Sequence, residues 1–112
     1  MAPASIPHLI AWFFGGAFLC NATPHLVAGV MGRPFQSPFA KPPGQGLSSS
    51  TVNVLWGFFN LALGYGLVCQ VGAFDFKAVP DVAASGAGAL LIGLFSARHF
   101  GRFNGGAEPT AS

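Results

Sequence analysis

One run decides the fold: Ile6–Met31, "IPHLIAWFFGGAFLCNATPHLVAGVM". It is apolar except at "NATPH", Asn21 to His25, where an amide, a hydroxyl, a proline and an imidazole stand together. Three structures compete for it: a loop between two segments, one membrane helix with a polar site inside it, and one kinked helix with no chemistry. The apolar stretches on either side are each too short to cross a bilayer, which takes about 20 helical residues. A single span over about 6–31 is therefore expected. Ser5 can cap it, and Pro7 suits a first turn, where a missing N–H costs nothing. Spacing by four places Ala17, Asn21, His25 and Gly29 along one face. Pro24 cannot donate, and its ring presses on the carbonyl of Cys20. A kink is expected there, with the freed carbonyl served by the Thr23 hydroxyl or the Asn21 amide.

Composition extends this reading to the whole chain. Of 112 residues, 52% are hydrophobic and only 7% charged, against about 25% charged in a soluble domain. Such a chain cannot cover a water-facing surface. Its net charge of +2 is too small and scattered for nucleic-acid binding. Two further spans qualify, at about 51–71 and 80–103. Ser50 is expected to cap the second. Pro80 and Asp81 suit the first turn of the third, and Asn104-Gly105-Gly106 should end it. The start lacks the basic residues of a signal peptide, so the first span is expected to be retained. Cys20 and Cys69 read as small hydrophobes at different depths, not as a disulfide. The predicted fold is an all-α integral membrane bundle of three transmembrane helices. It forms one domain over 1–106, with loops at 32–50 and 72–79 and a disordered tail at 107–112.

Basic residues orient the spans. Arg33 and Lys41 lie in the first loop, Arg98 and Arg102 near the end of the third span. Both regions fall on one side of a three-span chain, which predicts a bacterial inner-membrane protein with its N-terminus out and C-terminus in. Trp12 and Trp56 fit the aromatic belts of the two membrane faces.

The second span carries Asn53, Gly57, Asn60 and Gly64 on one face, a packing surface of amides and glycines. The third carries Ser85, Ala89, Gly93 and Ala97 at intervals of four, a small-residue stripe for close helix contact. Depths at about 1.5 Å per residue sort the polar side chains into two layers. Asn21 should meet Asn60 near the midplane. His25 should meet Asn53 or Arg98 roughly 10 Å nearer the inner face, with His99 close by. Each would cost a few kcal/mol if left unpaired in hydrocarbon.

The inner loop, 32–50, is too proline-rich for a flexible linker. Pro34, Pro38, Pro42 and Pro43 stiffen it toward extended or polyproline-like backbone, and Phe35 and Phe39 need cover. A structured loop, lying on the interface or dipping between helices, is expected, with Arg33 at its start and a turn at Pro42-Pro43-Gly44. These features together, Pro24-His25, the Phe-x-x-Pro-Phe of Phe35–Phe39, Pro42-Pro43-Gly44 and the Asn-x-x-Trp-Gly-x-x-Asn of Asn53–Asn60, resemble a family of small bacterial integral membrane proteins. The resemblance covers about the middle two fifths of the chain. It implies that loop and amide face belong to one design, and it brings no activity with it.

No hydrolase, metalloprotease or phosphate-loop motif is present. The carboxylates Asp75, Asp81 and Glu108 all lie outside the predicted hydrocarbon. The expectation is an accessory or structural membrane protein with no reaction assigned, needing no cofactor or metal; the residues leave open whether it is an enzyme. Its partners would be the lipid bilayer and either copies of itself or another membrane protein. Two alternatives remain open: a homo-oligomeric channel or transporter for a small solute or anion, and a cofactor-binding protein using His25.

Overall fold

The computed structural model describes residues 4–106; the tail expected at 107–112 lies outside them. It contains three long helices, α1 (Ile6–Val30), α2 (Ser50–Cys69) and α3 (Val79–Asn104). All three are long and apolar enough to cross a membrane. Asn21–His25 form neither a loop nor a break: α1 runs through them with Pro24 inside it. Neither expected donor serves the Cys20 carbonyl. The Thr23 hydroxyl donates to Leu19 O at 3.4 Å, and the Asn21 amide is engaged with α2.

The helix ends follow local chemistry. Ser5 accepts from His8 N at the start of α1. At its other end Gly32, at φ 74°, lets the chain reverse. The amides of Gly32 and Arg33 return to the carbonyls of Gly29 and Ala28, which closes a Schellman cap. The cap of α2 is Ser49, accepting from Val52 N at 3.2 Å. The expected Ser50 is instead the first helical residue. Gly105, at φ 85°, ends α3 as its sequence implied.

α1 is the middle helix. α2 packs on one side of it and α3 on the other, and α2 and α3 share few contacts. The 70–78 connection therefore has to cross the start of α1. Trp12 holds it there: its indole donates to Val71 O at 2.9 Å, and Phe74 meets its ring edge-on at 5.3 Å. Trp12 is thus buried packing, not the interfacial belt residue expected. Asp81, also buried, accepts from Asp75 N at 3.0 Å and fixes the approach to α3.

The 31–49 connection folds back over the opposite end. Of the extended or polyproline-like backbone expected, it takes the extended form in a minimal hairpin, β1 (Phe35–Gln36) against β2 (Leu47–Ser48), antiparallel, with Phe35 opposite Ser48. The ladder occupies residues between Pro34 and Pro38 that retain their N–H groups. The Lys41–Pro42 peptide is cis.

Candidate functional site

The polar side chains converge where α1, α2 and the hairpin meet. Asn53, fully buried at 0% exposure, is the hub. Its Nδ2 faces three carbonyl oxygens, Phe35 at 3.1 Å, Ser48 at 3.2 Å and Ser49 at 3.0 Å. With two hydrogens for three acceptors, one bond is shared. Because all three neighbours only accept, the amide orientation is fixed, and Oδ1 must face the remaining partner. That partner is His25 Nδ1 at 2.7 Å. One asparagine thus ties both strands of the hairpin to α1 and α2.

The same logic sets the histidine. Nδ1 donates to Asn53, so in the neutral ring Nε2 keeps its lone pair. His25 is 1% exposed and collared by Phe35, Phe100 and Trp56, at ring distances of 5.5, 6.2 and 6.3 Å. A layer away, Asn21 Nδ2 donates to Asn60 Oδ1 at 3.0 Å, and Asn60 Nδ2 donates to Trp56 O at 2.8 Å.

Of the two α3 residues expected in the cluster, one joins it. Arg98 is exposed and stands apart from the cluster, because its position turns it away from α1. His99 enters instead: Nε2 donates to Gly44 O at 2.7 Å, and Nδ1 accepts from Arg102 at 3.0 Å. Asn104 donates to the buried Gln36 at 3.1 Å. Within the loop, Ser37 is buried, pairs with Ser48 at 2.6 Å and accepts from Phe39 N at 3.1 Å. Phe35 turns inward onto Phe100 at 4.9 Å, whereas Phe39 is 63% exposed, resting edge-on against Trp56. Pro38, Pro43 and Gly44 border a cavity of about 330 Å³, whose other walls include Asn21, His25, Trp56 and His99. Arg33 is exposed at the loop's start.

The packing residues divide in the same way. Gly29, Gly57 and Gly64 each receive a side chain of the facing helix, from Val54, Leu26 and Leu19. On α3, Ser85, Ala89 and Gly93 are half-buried toward α1, but Ala97 is exposed. The tightest contacts are at Gly88, where a Cβ would fall on the carbonyl of Phe13, and at Gly16, where one would fall on the carbonyl of Ser85. Sequence reasoning missed both glycines, as it missed Gln36, Ser37 and the burial of Trp12. Spacing by three after Ser85 was the available signal for Gly88.

No family model, curated protein or solved structure matches the chain. Chemistry has to be judged from the site itself. Among the described residues His25 Nε2 is left with a free lone pair, and no three His, Cys, Asp or Glu side chains stand close enough to share a metal ion. The arrangement can bind and rigidify. Within it there is no nucleophile with a base and no pair of carboxylates.

Proposed function

We propose that the chain is a small multi-pass protein of the bacterial inner membrane, N-terminus out and C-terminus in, that acts as an accessory or structural component through association and not through catalysis. The observation that carries this reading is the hub at Asn53. The side chains that would be candidates for chemistry, His25, Asn53, Asn60 and His99, are bonded to one another or to backbone carbonyls. They hold the 31–49 hairpin rigidly over one end of the bundle. That end also carries exposed Arg33, Lys41, Arg98 and Arg102, as the positive-inside rule expects of a cytoplasmic face.

The faces turned away from α1 support the membrane setting. Leu90, Leu91 and Leu94 of α3 are each more than half exposed, an arrangement costly in water at about 1.5–3 kcal/mol per side chain and free of cost in lipid. α3 is gripped on one side only, which leaves its other side for lipid, a second copy or a partner helix. Two measurements test the reading. In Gln45→Cys and Ala78→Cys variants the new thiols should label from opposite sides of intact cells, position 78 from outside; labelling of position 45 from outside overturns the orientation. The protein purified in mild detergent should show no visible absorption band and should run as a defined assembly. A Soret band or a strictly monomeric species at all concentrations overturns the associative role.

A further inference from the structure

α3 carries a second face, turned away from the bundle. Leu91, Phe95, Arg98 and Arg102 follow one another by four, three and four residues, the cadence that keeps side chains in line along a helix. All four are exposed, Leu91 at 57% and Phe95 at 59%. The line changes character along its length, apolar toward the middle of the span and basic at its inner end. Arg98 and Arg102 lie about 10 and 16 Å from the middle of α3 by helical rise, against a hydrocarbon half-thickness of about 15 Å. Their long side chains can therefore carry the guanidinium groups to the depth of lipid phosphates. Arg102 uses one of its five N–H donors on His99 Nδ1, at 3.0 Å, and keeps the others. Among the described residues no carboxylate neutralises the pair. Asp81 stands in the first turn of α3, 17 residues and about 25 Å along the axis from Arg98, and Asp75 lies before that helix begins.

We infer that this face binds an anionic phospholipid of the inner leaflet, its phosphate held between Arg98 and Arg102 and an acyl chain laid along Phe95 and Leu91. Side chains four apart on a helix have Cβ atoms about 5–6 Å apart. Two guanidinium groups so placed can grip one phosphate through charge-assisted hydrogen bonds. Charge selects the headgroup: a zwitterionic lipid brings its own cation to two arginines that already lack a counter-charge. Order selects the rest of the molecule. A soluble phosphate would satisfy the arginines and leave Leu91 and Phe95 uncovered. An amphiphile with its anion at the inner end and hydrocarbon above it matches the whole line. The inference rests on the membrane setting proposed above and not on the associative role.

The test titrates the full chain in mild detergent with phosphatidylglycerol or phosphatidylcholine of identical acyl chains, and counts bound lipids by native mass spectrometry. The first phosphatidylglycerol should bind about tenfold more tightly than phosphatidylcholine. Arg98→Gln should weaken phosphatidylglycerol about fivefold, the equivalent of about 1 kcal/mol, and leave phosphatidylcholine unchanged. Arg33→Gln removes the same charge from the same end of the bundle and should change neither. Both arginines are exposed, so both variants should keep the fold. Equal losses in the two variants would trace the binding to diffuse surface charge and overturn the site. Equal binding of the two lipids also overturns it. So does glycerophosphoglycerol, the headgroup without chains, if it binds as well as the whole lipid, the signature of a soluble-phosphate site. Removing the detergent separates this inference from the setting it rests on. A chain that stays dispersed in water overturns the membrane setting and the site together. A chain that needs detergent yet prefers neither lipid overturns the site alone.

Discussion

The two interfaces of α1 are built from different materials. Toward α2, the nearest contacts over the glycines are side chains in both directions, with backbone of the facing helix just behind them. Leu19 and Leu26 fill the space over Gly64 and Gly57, while Val54 and Val68 fill the space over Gly29 and Gly15. Two amides and an imidazole then fix the register. Toward α3, the backbones themselves touch, at Gly16 against Ser85 and at Gly88 against Phe13. Both interfaces need glycines, but at the first the nearest atom over each glycine is a side chain and at the second it is a backbone carbonyl. Side chains can rotate or be replaced by others of similar volume; a carbonyl of the neighbouring helix cannot move aside. Substitutions should therefore act very differently on the two sides.

The largest effect is expected at Gly88. Gly88→Leu puts a branched side chain onto the Phe13 carbonyl and must separate α3 from α1, a loss of more than about 4 kcal/mol. Cys20 Sγ lies 3.5 Å from where a Cβ at Gly93 would stand, which supplies a reporter. In a Gly93→Cys background, mild oxidation should join Cys20 to the introduced thiol and leave Cys69 for maleimide. Adding Gly88→Leu should leave all of these thiols reactive. If the α1–α3 disulfide still forms in that variant, the backbone contact does not hold α3 in place.

Next comes Asn53. Asn53→Leu removes every bond of the hub and strands His25 Nδ1 and two loop carbonyls in a dry interior, at about 1–3 kcal/mol for each buried group left unpaired. The damage should be local to the hairpin. Chymotrypsin should cut after Phe35 and Phe39 well below the midpoint of global unfolding, while the α1–α3 disulfide of the Gly93→Cys background still closes. Loss of both together would mean that the loop and the α1–α3 interface are one cooperative unit, contrary to their separate construction.

Much of this was legible in advance, and the reason lies in helical rotation. Asn53, Gly57, Asn60 and Gly64 are spaced by four, three and four. That alternation keeps pace with 3.6 residues per turn, and all four are buried. Ser85, Ala89, Gly93 and Ala97 are spaced by four throughout, so the stripe turns by roughly 40° at each step and has left the interface by Ala97. The face that packs is Asp81, Ser85, Gly88 and Ile92, with spacings of four, three and four. The same drift carries α1's own series from Ala17, beside Gly88, to Gly29, against Val54. It also explains why Arg98 stands outside while His99 reaches the loop. The hairpin was less legible, because its pairing depends on which loop carbonyls Asn53 can reach across a gap of 18 residues, a relation no local pattern encodes.

A moderate effect is expected at Asn60. Asn60→Leu removes its bond with Asn21, and a double-mutant cycle with Asn21→Leu should return a coupling of about 0.6 kcal/mol, with an upper bound near ~1.7 kcal/mol. Denaturation in mixed micelles can resolve it. A coupling near zero would make the amide layer incidental and leave the glycine sockets to set the register of α1 on α2.

The smallest effect, at Ala97, separates the two descriptions of α3 most sharply. A stripe defined by small residues every four positions treats Ala97 as equivalent to Ala89 and Gly93. A face defined by helical rotation puts it on the exposed side. Ala97→Leu should then change stability by no more than about 0.5 kcal/mol, and in the Gly93→Cys background the bridge to Cys20 should close as readily as before. A loss approaching that of Gly88→Leu would show that the end of α3 packs on something the isolated chain does not contain, and the place to look for it would be another copy's helix laid along the same exposed side.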